Sequence, residues 1–333
     1  MIVSHWISRL TPSIKGATLA LMSLLMVTPL TAQELRSSAP IRIVVPYGPG
    51  GPTDVVARLL SVPMQNMLKQ PVIVENRAGA GSLIGARVVA GAPADGHTIL
   101  LGNVSTFAIA PAITKNPGYD PTKAFVPIVQ TTDIGMVMVA APNFPANNLQ
   151  EFIAYAKANP GKVTYGSAGI GNSAHLLAEL LQAKANLNMI HVPYKSGAEM
   201  SMAVVSGQVQ FAMTDLSASL GQIREGKLKA LAMTGVTRSA ELTQVPTMIE
   251  SGYPDIVLRN WTGAAAPAGT PPAIVKKLQS VMNEVIKSPE YQAAIAKMGG
   301  EAKPGNPEEL GALIASDFKR WGDVAKAAGV VLD

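Results

Sequence analysis

The sequence predicts an α/β fold built in two halves. Three observations carry that prediction. Short β-branched runs alternate with helical patterns along the chain, as layered α/β folds require. A glycine-rich strand–turn–helix unit spans Val44 to Leu60, and a second spans Val163 to Leu181, so the pattern restarts midway. The length, 333 residues, is more than one core usually supports, which points to two domains.

The elements follow in order. Ile41–Val45 is a β-branched run and reads as the first strand. Pro46–Pro52 is a turn rich in proline and glycine. Thr53 or Asp54 then caps a helix carrying Val55, Val56, Leu59, Leu60, Met64, Met67 and Leu68, which Pro63 is expected to kink or restart. Val72–Glu75 is the next strand, closed by Asn76 and Arg77. Gly79–Ser82 opens a helix, His97–Gly102 is a third strand, and Ser105–Thr106 opens the helix after it. Ile134–Ala140 is a long apolar strand. The second half repeats the plan: helix Leu149–Ala158, strand Val163–Tyr165, a turn at Gly166–Gly171, and a helix with Leu176, Leu177, Leu180 and Leu181. Strand Ile190–Tyr194, helix Met200–Val205 and strands Val209–Thr214 and Ala230–Thr234 follow. In the last third, Thr270–Pro271, Ser288–Pro289 and Asn306–Pro307 each place a capping residue before proline at the first helical position. Asn306 with Glu309 adds a box-like cap.

Composition narrows the functional classes. Apolar residues make up 48% and charged residues 15%, so a well-buried interior is available and disorder is disfavoured. The net charge of +5 is scattered, and no Lys or Arg run marks a nucleic-acid surface. Without cysteine there is no disulfide, no thiolate metal site and no Cys nucleophile. His97, His175 and His191 lack the spacing of a metal site, so no metal or cofactor is expected. Arg9 and Lys15 precede the apolar run Ala17–Val27, and Pro29–Leu30–Thr31–Ala32 follows. These are the parts of a secretory signal peptide, with an apolar run too short to span a bilayer. Cleavage is expected after Ala32, because Pro40 disfavours cutting at the alternative Ser37–Ser38–Ala39. Residues 1–32 are therefore assigned to export, and the mature chain to the periplasm.

The chemistry sits at the two glycine-rich turns. A helix N-terminus exposes unpaired N–H groups at the positive end of its dipole, and glycine lets a ligand approach them. Gly50–Gly51–Pro52–Thr53 and Gly169–Ile170–Gly171–Asn172–Ser173 are thus natural carboxylate cradles, or simply tight turns. Asp54 reads first as a helix cap and second as a ligand contact. Asp215, at a strand end, either meets ligand donors or caps its loop, and Trp261 reads as core or hinge packing. The stretch Gly169–Ala174 also fits a dinucleotide fingerprint, but the next strand ends in Tyr194–Lys195 without the acidic residue that cofactor needs. Ser173, His175 and Asp215 supply the residue types of a hydrolase, with no nucleophile elbow around any serine.

Longer motifs add a resemblance. Pro40 to Asp54, Val74 to Gly81, Asp95 to Leu100, Tyr165 to Gly169, His191 to Lys195, Trp261 to Gly263 and Ala266 to Pro271 resemble, in order, the Bug family. These are extracytoplasmic receptors of tripartite tricarboxylate transporters. The resemblance implies a type II periplasmic binding protein: two Rossmann-like α/β domains joined by crossing hinge strands, closing on a ligand. Residues 40–140 plus 262–333 would form one domain and 141–261 the other. It implies a monomeric, non-enzymatic receptor for a small carboxylate, serving membrane permease subunits or a sensor kinase. The loops matching Pro49 to Asp54 and Ser167 to His175 would contact the ligand. With the cleft positions beside those loops, the expected ligand contacts are Tyr47, Pro49, Gly50, Gly51, Thr53, Asp54, Asn76, Ser105, Thr106, Ser167, Ala168, Gly169, Asn172, His175, Thr214 and Asp215. The stretch Met213–Ser217 departs from the commoner pattern with Phe before Asp.

Overall fold

The computed structural model describes residues 39–327, and the signal segment read at residues 1–32 lies outside them. The chain runs through β1 (Ile41–Val45), α1 (Pro52–Leu68), β2 (Val72–Asn76), a 3-10 turn at Ala80–Ser82, α2 (Leu83–Ala90) and β3 (Thr98–Asn103). A π turn at Ser105–Ile109, α3 (Ala110–Ile113) and β4 (Phe125–Ala140) follow. Next come α4 (Leu149–Ala158), β5 (Val163–Ser167), α5 (Ser173–Ala185), β6 (Met189–Pro193), α6 (Gly197–Val205) and β7 (Phe211–Asp215). The rest is α7 (Leu216–Arg224), β8 (Lys229–Met233), β9 (Arg259–Pro267), α8 (Pro272–Ile286), α9 (Pro289–Lys297), β10 (Gly300–Ala302) and α10 (Pro307–Ala327). No helix among the described residues is long and apolar enough to cross a membrane.

The strands join in the order β2-β1-β3-β9-β4-β7-β5-β6, and β8 and β10 also pair with β4. β1 is parallel to β2 and β3, and β5 is parallel to β6 and β7, as helical crossovers dictate. β4 and β9 run antiparallel and tie the two parallel sets together. The first part of β4, from Phe125 to Gly135, pairs with β9, while Met136–Ala140 pairs with β7 and Val137–Ala140 with β8. β1 is apolar except for the exposed Arg42, and its other four residues are buried on the two faces of the sheet. Ile41, Ile43 and Val45 pack with Val56, Leu60 and Met64 of α1, and Val44 joins the core on the other side. Around β5, Tyr165, Leu176, Leu177, Leu181 and Phe211 are fully buried.

Several local expectations are corrected. Gly51, not Thr53 or Asp54, is the N-cap of α1, and no side chain caps it. Pro63 does not break α1; both it and Leu59, whose carbonyl it strands, are partly exposed, so water can serve that carbonyl. Thr270 does not cap α8, because its hydroxyl donates back to the Pro267 carbonyl at 2.8 Å. Ser288 and Asn306 do cap α9 and α10, accepting from Tyr291 N at 3.2 Å and Glu309 N at 2.8 Å. β4 starts nine residues before Ile134, at Phe125. Pro127 and the polar stretch Gln130–Asp133 hid that start, and the strand absorbs them through register shifts against β9 at both places.

Candidate ligand-binding site

The first glycine-rich turn is held from behind by Asp54. Its carboxylate accepts from Gly50 N at 2.9 Å, from Asn76 Nδ2 at 3.0 Å and from Arg58 Nε and Nη2, both at 3.0 Å. Asn76 Nδ2 also donates to the Tyr47 carbonyl at 3.1 Å. Burial alone would raise the Asp54 carboxyl, but Arg58, the Gly50 N–H and Asn76 outweigh it and hold the group below its ordinary value. Such a depressed acid stabilises the fold above the unfolded value of 3.8 and loses that contribution as pH falls through its lower folded value. Asp54→Ala should lower unfolding free energy by about 2 kcal/mol, the scale of charged hydrogen bonds lost from a buried acceptor. An unchanged urea midpoint would show that the turn holds itself.

A second hub is Asn103, at the end of β3. Its Oδ1 accepts from Tyr47 Oη at 2.6 Å, Ser105 N at 3.0 Å and Thr106 N at 3.3 Å. Burial raises the Tyr47 phenol, so it stays neutral and can donate. Behind the second glycine-rich turn, Ser167 Oγ bridges the Gly169 carbonyl at 3.0 Å and His191 Nε2 at 2.6 Å. His191 stacks on His175 with ring centroids 4.1 Å apart. Burial, then the neighbouring His175, pushes the His191 imidazole down to about 4, and burial also lowers His175. His175 Nδ1 accepts from Gly171 N at 3.2 Å, and among the described residues no hydrogen bond joins His175 to Ser173 or to Asp215. Ser173, His175 and Asp215 therefore form no catalytic triad.

Between these turns lies a cavity of about 40 Å³. Three helices point their N-termini into it: α1 at Gly51–Thr53, α5 at Asn172–Ala174 and α6 at Ser196–Gly197. The N–H groups of Thr53, Ala174 and Gly197 find no acceptor among the described residues. The Ser173 N–H is already taken by Ser105 Oγ at 2.8 Å, a bond that links the two turns. The strand side carries Met136 on β4, Met213, Thr214 and Asp215 on β7, and Asn260 on β9. Asn260 Nδ2 donates to Asp215 Oδ1 at 2.7 Å. Burial pushes the Asp215 carboxyl up to about 6 against the pull of that hydrogen bond. No group of three or more His, Asp or Glu among the described residues is placed to hold a metal.

Of the residues expected at the site, Tyr47, Gly51, Thr53, Ala168, Asn172, Thr214 and Asp215 line this cavity. Gly169 lines a neighbouring hollow of about 340 Å³ that shares Tyr47 and Ala168. Asp54, Asn76, Ser105, Thr106, Ser167 and His175 stand behind the turns, and Pro49 and Gly50 face outward. Ser173, part of the second cradle, lines it too, while Asn103, Met136, Ser196, Gly197, Met200, Met213 and Asn260 line it without having been singled out as contacts. The α6 terminus was readable: Ser196 Oγ accepts from Glu199 N at 3.2 Å, and Glu199 Oε2 accepts from Lys195 N at 2.9 Å. Ser196 followed three residues later by Glu199 is a capping-box pattern.

Parallel sets of strands, tied by antiparallel strands and presenting helix N-termini to one cavity, define the periplasmic solute-binding fold. The solved structure of the periplasmic binding protein BugD is similar at 38% identity, with a TM-score of 0.84 over 88% of this chain and 98% of BugD. MatC from Rhodopseudomonas palustris, solved with bound malate, is 31% identical, with a TM-score of 0.83 over 86% of this chain and 98% of MatC. Among curated relatives, protein BugT of Bordetella pertussis is 36% identical over 294 residues, 88% of this chain and 90% of BugT. The family model for the tripartite tricarboxylate transporter family receptor matches residues 56–330. The chain belongs to that family of periplasmic binding proteins, which are not enzymes.

Proposed function

We propose that this protein captures a small carboxylate outside the cytoplasm and delivers it to the permease subunits of a tripartite transporter. The observation that carries the reading is the convergence of three helix N-termini, with free N–H groups, on one cavity. Each dipole end contributes roughly 0.3–2 kcal/mol toward an anion, and charge-assisted hydrogen bonds add to it. The malate in MatC and the family's transporter link support the same ligand class and partner. Residues 1–32 serve as the signal peptide, removed on export.

Residues 40–140 plus 262–333 form one lobe and residues 141–261 the other, with β4 and β9 as the crossing strands. A ligand held by Thr53 on one side and Ala174 on the other touches both lobes, so binding favours the shut arrangement. Calorimetric titration of residues 33–333 with mono- and dicarboxylates of three to six carbons checks the reading. At least one acid should bind in the micromolar range. Binding weaker than millimolar for every acid would overturn the assignment.

A further inference from the structure

The strand side of the cavity differs from its helical side. Asp215 is the one charged side chain lining the cavity among the described residues; no Lys or Arg stands there to neutralise it. Its Oδ1 accepts from Asn260 Nδ2, while no hydrogen bond among the described residues reaches Oδ2. That same bond fixes the Asn260 amide, because the nitrogen must face the carboxylate. Asn260 Oδ1 is left buried without a donor, in a residue only 5% exposed. Two acceptors, on the strands that flank β4, therefore lie unfilled beside one negative charge. A buried acceptor without a donor is unfavourable, so a bound ligand that supplies donors is favoured over one that does not.

A ligand hydroxyl donates one hydrogen and leaves one acceptor empty. A second carboxylate donates none and sets like charge against Asp215. An ammonium supplies three donors and cancels the charge. The helical side offers N–H donors to an anion, so the two sides together complement a zwitterion. We propose that the ligand is an amino-carboxylate, with its carboxylate on the helix N-termini and its ammonium received by Asp215 and the Asn260 carbonyl oxygen. This rests on the carboxylate reading above and narrows it.

The ionisation of Asp215 gives the pairing a pH signature. The titratable side chain that senses it from the neighbouring loop is Tyr47, which burial keeps neutral. Met136 on β4, Asn260 on β9 and Thr214 beside it carry no titrating group. Above pH 6 the carboxylate is charged and selects the ammonium; below it, protonation removes the selection.

The test uses the mature chain and acids of three to six carbons. Each bears one carboxylate and either a methyl end, a second carboxylate, a primary amide, or an ammonium at the α or the ω carbon. At pH 7.5 an ammonium member should bind at least tenfold tighter than the dicarboxylate of equal length. Asp215→Asn should reduce that preference to about threefold or less while a carboxylate still binds. In the wild-type chain the preference should shrink likewise between pH 7.5 and 5, a readout that does not depend on the variant folding. If the dicarboxylate or the amide binds at least as tightly as every ammonium member, the proposal is overturned and the carboxylate reading stands. If no member binds, both fall.

Discussion

Gly81→Ala should weaken ligand binding at least tenfold while leaving the fold in place. Gly81 lies in the 3-10 turn between β2 and α2 with φ +62°, and Ala80 and Ser82 beside it are also left-handed, at +46° and +94°. An alanine in that region adds about 1–2 kcal/mol of backbone strain, which a domain of this size survives. The larger effect is steric. A Cβ on Gly81 would stand 2.2 Å from the Ile170 carbonyl oxygen, in the second glycine-rich turn. Backbone cannot yield as a flexible side chain can, so the two turns must move apart. They carry opposite lobes in the proposed closure, and separating them withdraws the Ala174 N–H from the Thr53 side of the cavity. The Ser173 N–H to Ser105 Oγ bond should be lost with it. Small-angle scattering should show that ligand compacts the wild-type chain and not the variant. Wild-type affinity in Gly81→Ala would mean that the turns need not meet when ligand binds.

That contact could not be read from Gly81 or Ile170, 89 positions apart, although each turn announced itself. Glycine, proline and β-branched runs report local conformation, so the strand–turn–helix units and the caps at Ser288 and Asn306 were legible. Asp54 misled for a physical reason: an acid in the first turn of a helix usually serves that helix, yet this one folds back onto Gly50 N, Arg58 and Asn76. Asn260 carries no local signal at all. It meets Asp215 because both strands pair with β4, Asn260 opposite Ile134 and Asp215 opposite Met136, two positions along the same strand. Such meetings are fixed by register, and register depends on a strand whose first half Pro127 and Gln130–Asp133 disguised.

Trp261→Ala should be the most destabilising single change near the site, by about 3–5 kcal/mol. Alternation along β9 turns Asn260 to the cavity and Trp261 to the opposite side. There the indole is 3% exposed and stacks on Phe107 with centroids 5.9 Å apart and planes 13° from parallel. Its Nε1–H donates to Asp317 Oδ2 of α10 at 2.6 Å. Truncation removes the ring volume and leaves Asp317 without that donor. Trp261→Phe separates the two effects: most of the ring stays, and the lost donor accounts for about 1–3 kcal/mol. Burial raises the Asp317 carboxyl, and the Trp261 hydrogen bond pulls it back down. Without that bond the folded value climbs further above the ordinary 3.8, so the buried charge penalises the fold fully at neutral pH. As pH falls through the raised value the folded state takes up a proton first, and the penalty lifts. The deficit of Trp261→Phe relative to wild type, from urea unfolding, should therefore be smaller at pH 5 than at pH 7. Equal deficits at the two pH values would mean that Asp317 does not depend on the indole for its charge.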